Sequence, residues 1–533
     1  MRSSTRTEVR GGAEAPAGQR SRARSRRPRW LRATGAGLAA ALSVATLSSC
    51  GPFDELTGTE VDTIGEVPFE NRLAIPPLAD SELDSEGRRV FTLTAEPGER
   101  ALRPGGSTET WGFNGSYLGP TLRATRGEEV RVDFENGLDE ATTVHWHGMH
   151  LPADADGGPH QIVEPGETWT PSWEIDQPAA TLWYHPHLHG DTEAHVYRGL
   201  AGMFILDDSE EAELDLPREY GVDDVPVIVQ DKLFAEDGSL VEDDREELGI
   251  LGDTVLVNGT YGPFLDVSTE RVRLRLLNGS TARTYDFGFS GGRDFALIAT
   301  DGGLLERPAE LDRIQLSPGE RAEIVVTIEP RERVVLRSYP PDLEPGSDTS
   351  REDGGEDSFD VLQLRAAAEL DPSAAVPSEL ADVSELDPGD AAVTREFELR
   401  SRRINGEEMD IERIDEVVEV DTTEVWEVEN GHGQPHTFHV HDVQFQVLDV
   451  DGEDPPPDLS GWKDTIQLPP GMPVRLIMRF EDYADPDAPY MYHCHLLRHE
   501  DEGMMAQFVV VEPGEDAAAP PAHGEIGHNQ DHG

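Results

Sequence analysis

The chain has 533 residues, room for about three to five domains at roughly 100–200 residues each. Acidic residues number 106 against 44 basic ones, and only Lys232 and Lys463 among the latter are lysines. Such a chain lacks the basic footprint that a phosphate backbone needs, which excludes nucleic acid as a partner. Its two cysteines, Cys50 and Cys494, sit in unrelated settings and exclude a disulfide framework.

Residues 1–32 carry ten arginines and two glutamates, and an alanine-rich apolar run from Ala33 to Leu47 leads into Leu47-Ser48-Ser49-Cys50-Gly51. A basic region, an apolar region, small residues and a cleavage point make 1–49 an export signal rather than part of the fold. Ser25-Arg26-Arg27-Pro28-Arg29-Trp30-Leu31 resembles a twin-arginine signal, which carries folded cargo. Leu-Ser-Ser-Cys resembles a bacterial lipobox, in which Cys50 is lipidated and becomes the first mature residue. An apolar run of about 15 residues is shorter than the roughly 20 needed to span a bilayer. The expected location is the cell surface or periplasm, with the lipid holding the protein to the outer face of the cytoplasmic membrane. Removal of 1–49 takes the ten arginines and two glutamates away, and the formal charge goes from −62 to −70.

An acidic lead-in, 50–80, precedes a body that repeats itself. Asn114-Gly115-Ser116-Tyr117-Leu118-Gly119-Pro120 recurs as Asn258-Gly259-Thr260-Tyr261-Gly262-Pro263 and more faintly as Asn405-Gly406-Glu407. Each copy leads into an alternating strand ending in Asn-Gly, at Asn136, Asn278 and Asn430. Period-two patterning with Gly, Pro and Asn punctuation predicts an all-β chain of sandwiches or barrels. The domains expected are 81–207, 218–365 and 393–513, followed by a disordered tail, 514–533. Pro341 to Asp360, rich in acids, Gly and Ser, reads as a mobile loop.

Chemistry-bearing residues follow the first and third Asn-Gly ends and are missing from the second, so the middle domain is expected to be a spacer without metal ligands. The clusters are His145-Trp146-His147, His185-Pro186-His187, His436-Thr437-Phe438-His439-Val440-His441 and Tyr492-His493-Cys494-His495 with His499 and Met504. Ten of the eighteen histidines fall in them. Two imidazoles, a thiolate and a weak axial thioether are the ligand set of a blue copper site. Neighbouring side chains on a strand point to opposite faces, so Cys494 faces one metal while His493 and His495 face others. The tripeptide then joins two sites by a short covalent path. An unbound thiol in an exported protein also invites oxidation, which favours Cys494 as a ligand.

In this order and spacing, the four clusters resemble the multicopper oxidase family: laccases, bilirubin oxidases and bacterial cuprous oxidases. The resemblance covers roughly residues 66–513. It implies three consecutive cupredoxin-like Greek-key domains and four copper ions. The type 1 ion would be held by His436, Cys494, His499 and Met504, and the type 2 ion by His145 and His439. One type 3 ion would take His147, His185 and His495, and the other His187, His441 and His493. His189 falls outside the matched pair, and the ten-residue spacing from Cys494 favours Met504 over Met505. Thr437 stands where the family usually has proline. The nine methionines form no rich run, unlike the insert of many cuprous oxidases.

The activity implied is one-electron oxidation of a phenolic, amine or metal-ion donor, coupled to four-electron reduction of dioxygen to water. A monomer is expected. Asp156, in Asp-Gly-Gly-Pro, and Glu500, directly after His499, match acidic positions to which the family assigns proton relay. The donor would approach an exposed edge of His436 or His499, and the acidic surface would favour cationic or neutral donors over anions. An acidic surface that only keeps the chain soluble in high salt is the competing account. A copper-free scaffold and an extracellular copper buffer are the alternatives of the same architecture.

Overall fold

The computed structural model describes residues 60–103, 105–242, 248–343 and 353–518. The export signal, Cys50, the end of the tail and the centre of the Pro341–Asp360 stretch lie outside the described residues.

The repeated asparagines explain why one unit recurs. Asn114, Asn258 and Asn405 all take positive φ, between 49° and 53°, a conformation asparagine tolerates better than most residues. Each then holds an earlier strand with its amide. Their Oδ1 atoms accept from the backbone N–H of Thr94, Ile228 and Glu398. Their Nδ2 atoms donate to the carbonyls of Thr92, Pro226 and Glu396. The asparagines closing the alternating strands form a second set. The Nδ2 atoms of Asn136, Asn278 and Asn430 each bridge two carbonyls, and their Oδ1 atoms each accept from the N–H two residues on. Buried backbone groups must be paired, and a short amide that does this at a strand end fixes the loop that follows. In the first and third units those loops lead to the histidines.

Each unit is a two-sheet sandwich in which the Asn-ending strand runs parallel to an earlier one: Glu129–Asn136 to Arg89–Arg100, Arg271–Asn278 to Asp224–Lys232, and Thr422–Asn430 to Val393–Arg400. The first unit pairs a six-stranded with a three-stranded sheet, the middle a seven- with a six-stranded, and the third two five-stranded sheets. Apolar side chains between the sheets form a separate core in each unit. A smaller apolar cluster including Tyr117, Trp183, Met203, Leu256 and Leu277 joins the first to the middle.

Several boundaries depart from the sequence expectation. Asn71–Arg72, within the acidic lead-in, pairs with Pro263–Thr269 of the middle unit, and Asp62 bridges to Ser358. The edge of the middle sheet is unpaired without it, so backbone pairing wins over local composition. Phe359–Asp371 continues past 365, since it has partners on both sides. The described end of the Pro341–Asp360 stretch is fastened rather than loose. Asp357 accepts from Arg283 at 2.6 Å and from Val61 N–H at 2.8 Å, and Asp360 accepts from Arg337 and Gly65 N–H. The first residues of the tail are held too: Gly514 N–H donates to Glu419 and Ala518 N–H to the Pro486 carbonyl.

Candidate metal centre

Two neighbouring antiparallel strands of the third unit, His436–Val440 and Tyr490–Cys494, sort the candidate ligands by alternation. Phe438 is opposite Cys494 and His439 opposite His493. Residues paired across strands share a face, so His436 falls with Cys494, while His439, His441, His493 and His495 fall on the other side. His499 comes from the short helix Leu497–Asp501 that follows. The Nδ1 atoms of His436 and His499 are 3.1 Å apart and lie 3.5 and 3.6 Å from Cys494 Sγ. A point equidistant from all three atoms is about 2 Å from each, a metal–ligand bond length. Met504 is fully buried, its carbonyl accepting from Cys494 N–H and its N–H donating to the His499 carbonyl. Met505 is paired with His493 and so shares the opposite face. Burial pushes the Cys494 thiol up to about 12, so it keeps its proton until a cation displaces it. Neither imidazole offers an exposed edge: His436 and His499 are 1% and 0% accessible. His432, whose ring lies 5.9 Å from that of His436, and Gln434, bonded to Asp353, stand outside them.

The remaining eight histidines converge from the first and third units. His145 stacks on His441 at 3.8 Å and His147 on His439 at 3.7 Å between ring centres. Potential ligand atoms gather as His147–His185–His495, as His187–His441–His493 and as His145–His147–His439. All of these rings are at least 99% buried. The outer nitrogens are tied to oxygen. Nδ1 of His145 donates to the Asp156 carbonyl, that of His439 to the Asp464 carbonyl, and that of His441 to Asp156 Oδ2, at 2.8–3.0 Å. Nδ1 of His185 and of His493 donate to the carbonyls of Pro186 and Cys494. These bonds fix each tautomer and leave bare lone pairs inside. The inner Nε2 atoms of His187 and His493 are 3.1 Å apart, and those of His441 and His493 are 3.2 Å apart. Nε2 of His145 and His439, and both nitrogens of His495, have no hydrogen-bond partner among the described residues. Buried lone pairs facing each other are costly, and a set of cations among them removes that cost, so the donors fit copper.

Burial, joined by the neighbouring imidazoles, holds His147, His185, His439 and His441 well below the ordinary histidine value. Burial also pushes His187 and His495 down to about 3. All six are neutral at neutral pH and have lone pairs to offer a metal. Two buried carboxylates flank them. Asp156 is described above; Glu500 places Oε1 3.3 Å from His187 Nδ1 and Oε2 3.2 Å from His493 Nδ1. Burial opposes the ionisation of Glu500, but His187 and His493 hold its carboxyl well below the usual range. Gly157, at φ +79°, lets Asp156 reach in, because any Cβ there collides with the Val144 carbonyl. His189 is exposed.

Sequence reasoning missed Asp464, Thr465 and Arg321. His147 Nε2 is 3.0 Å from Asp464 Oδ1 and 2.9 Å from Thr465 Oγ1, and Arg321 of the middle unit grips both Asp464 oxygens at 2.6 and 2.7 Å. The one usable signal was Lys463, one of only two lysines, set beside Asp464 and buried with Asp301 and Glu320.

Three family models described as multicopper oxidase match residues 96–211, 226–338 and 376–514. The chain is 37% identical over 449 residues to the multicopper oxidase mco of Staphylococcus haemolyticus, covering 83% of this chain and 93% of that one. It is 36% identical over 450 residues to the cell division protein FtsP of Dickeya dadantii, covering 83% and 92%. Among solved structures, a laccase from Pediococcus acidilactici superposes with a TM-score of 0.75 at 36% identity, covering 84% of this chain and 95% of that one. With the donor set, the three cupredoxin-like units and these relatives in agreement, the chain belongs to the multicopper oxidase family.

Proposed function

We propose that this protein oxidises a phenolic, amine or metal-ion donor one electron at a time and passes the electrons to dioxygen, which is reduced to water. Four coppers, when bound, supply the one-electron carriers and the site of dioxygen reduction. His436, Cys494, His499 and Met504 would hold the type 1 ion, and His145 and His439 the type 2 ion. His147, His185 and His495, and His187, His441 and His493, would hold the type 3 pair. The observation that carries the reading is the strand Tyr490–Cys494 and its continuation: Cys494 belongs to one donor group, and its neighbours His493 and His495 belong to two others. One tripeptide thus forms a through-bond path between sites. The donor binds outside His436, beside His432 and Gln434, because the imidazole itself is covered. Asp156 and Glu500 relay protons through carboxylate oxygens beside His441 and His493. Residues 1–49 export the chain, and Cys50 carries the lipid that holds it, as a monomer, to the outer face of the cytoplasmic membrane.

The test is metal analysis, optical spectra and oxygen uptake on copper-loaded protein, with phenols and cuprous, ferrous and manganous ions as donors. Four coppers per chain and an intense blue colour are expected, and Cys494→Ser abolishes the colour while leaving three coppers. One copper or none would sink the reading. A non-enzymatic scaffold has one observation behind it, the cell division protein among the relatives. It predicts a folded chain that takes up no oxygen with any donor.

A further inference from the structure

We propose that Arg321, from the unit that holds none of the histidine ligands, is a positioning residue that fixes the tautomer of His147 through Asp464. The proposal rests on the copper reading above. Five cluster histidines donate from Nδ1 to an oxygen and so present Nε2 inward. His147 is reversed: its Nδ1 faces His185 Nε2 at 3.4 Å, and its Nε2 faces Asp464 Oδ1 at 3.0 Å. A carboxylate gripped through both oxygens by a guanidinium, as Asp464 is by Arg321, only accepts. Against it, His147 Nε2 must carry the proton, and Nδ1 is left bare toward the cluster. Thr465 Oγ1 also touches Nε2, but a hydroxyl can donate or accept and cannot decide the tautomer alone.

Arg321 pairs with Asp464 and orients it. Its fork takes both carboxylate oxygens, Nε donates to the Thr181 carbonyl, Nη2 to the Asp301 carbonyl, and its own N–H to Asp301 Oδ1. Thr181 belongs to the first unit, Asp464 to the third and Asp301 to the middle, so one guanidinium fixes the aspartate relative to all three. The same turn touches a second ligand. Gly319, at φ +88°, lies so close to His495 that a Cβ there would come within 3.0–3.1 Å of the ring. Expected to be a spacer, the middle unit therefore abuts one imidazole of the proposed type 3 site at Gly319 and reaches another through Asp464.

Two variants of the full chain test this, loaded with copper beside the parent. Arg321→Lys keeps the buried charge but offers a point contact in place of the fork. The double variant Arg321→Met with Asp464→Asn removes both charges together, so neither is left unpaired. Each is checked for folding by circular dichroism, then for copper per chain, blue absorbance and the type 2 electron paramagnetic resonance signal. The expected result is unchanged blue absorbance per folded chain, a changed type 2 hyperfine splitting in both, and loss of one or more of the four coppers in the double variant. Loss of folding alone would lower all signals together. A folded variant of either kind with four coppers and the parental type 2 signal overturns the proposal. If the parent itself binds fewer than two coppers, the copper reading fails instead.

Discussion

Asp156 and Glu500 sit at matching places on two sides of the histidine cluster, and the difference between them is what each can exchange. Asp156 is tied to His441 through Oδ2 at 2.8 Å, and its Oδ1 lies 3.3 Å from His145 Nδ1 with no aligned hydrogen bond among the described residues. Glu500 has both oxygens near imidazole nitrogens and neither in good hydrogen-bond alignment. A free carboxylate oxygen beside a reduction site can carry protons inward. Asp156→Asn and Glu500→Gln keep shape and remove that capacity. Both should keep the blue colour and its anaerobic bleaching by a donor, and both should slow recolouring by oxygen by roughly tenfold or more, given what a positioned acid or base contributes. Stopped-flow measurement of the two half-reactions separates them, and recolouring at the parental rate in both variants would end the relay idea. The histidine clusters and Cys494 were readable in the sequence because they are rare residue types at fixed spacing. Asp464 and Arg321 were not, because they are an ordinary aspartate and an ordinary arginine 143 residues apart. Only folding brings them together.

Strands and their turns were legible where a local rule governs them. The two sets of asparagines mark the same turns three times, and the alternation around Cys494 sorted the ligands by face. What long-range pairing decides stayed hidden, including the lead-in strand Asn71–Arg72 and the latch between the first and third units near the cluster. In that latch His150 Nδ1 donates to Asp442 Oδ1 at 2.8 Å, Asp482 lies 3.6 Å from Nε2, and the Tyr483 ring is 4.9 Å away. Burial opposes the charge on His150, but Asp442 and Asp482 outweigh it and push the imidazole up to about 9. Its pKa is thus raised above the unfolded value near 6.5. The stability it contributes is fully present below pH 6.5 and is lost as pH rises through 9. The gain is at most about 3.5 kcal/mol at about 1.4 kcal/mol per unit. Part is offset by Asp442, whose own burial raises its carboxyl despite His150. Melting curves should show the parent losing more stability than His150→Gln between pH 6.5 and 9.5. Parallel curves for the two proteins would remove the latch from the account.

At the scale of the whole molecule the dominant quantity is charge, a formal −62 for the full sequence and −70 once residues 1–49 are gone. The described acids spread over all three units, so the field is not confined to one patch. A field of this size raises the local concentration of cations and lowers that of anions around the whole surface. It also pushes the folded chain apart, which gives salt two separate effects. Salt at 0.1 M screens exposed charges with a Debye length of about 10 Å. On the proposed route a donor comes close to His432 and Gln434, outside the covered His436, well inside the unscreened field at low salt. For a pair of donors matched in potential and size, one cationic and one anionic, kcat/KM should fall with salt for the cation and rise for the anion. Because electron transfer after binding is short-range, kcat should change little for either. Melting temperature should rise with salt whatever the donor, since relief of self-repulsion does not depend on substrate. A surface that serves only solubility in high salt predicts the rise in stability and the same kcat/KM response for both donors. Initial rates at 0.02, 0.1 and 0.5 M salt therefore decide whether the charge selects the substrate: opposite slopes support steering, and equal slopes leave the acidity with solubility alone.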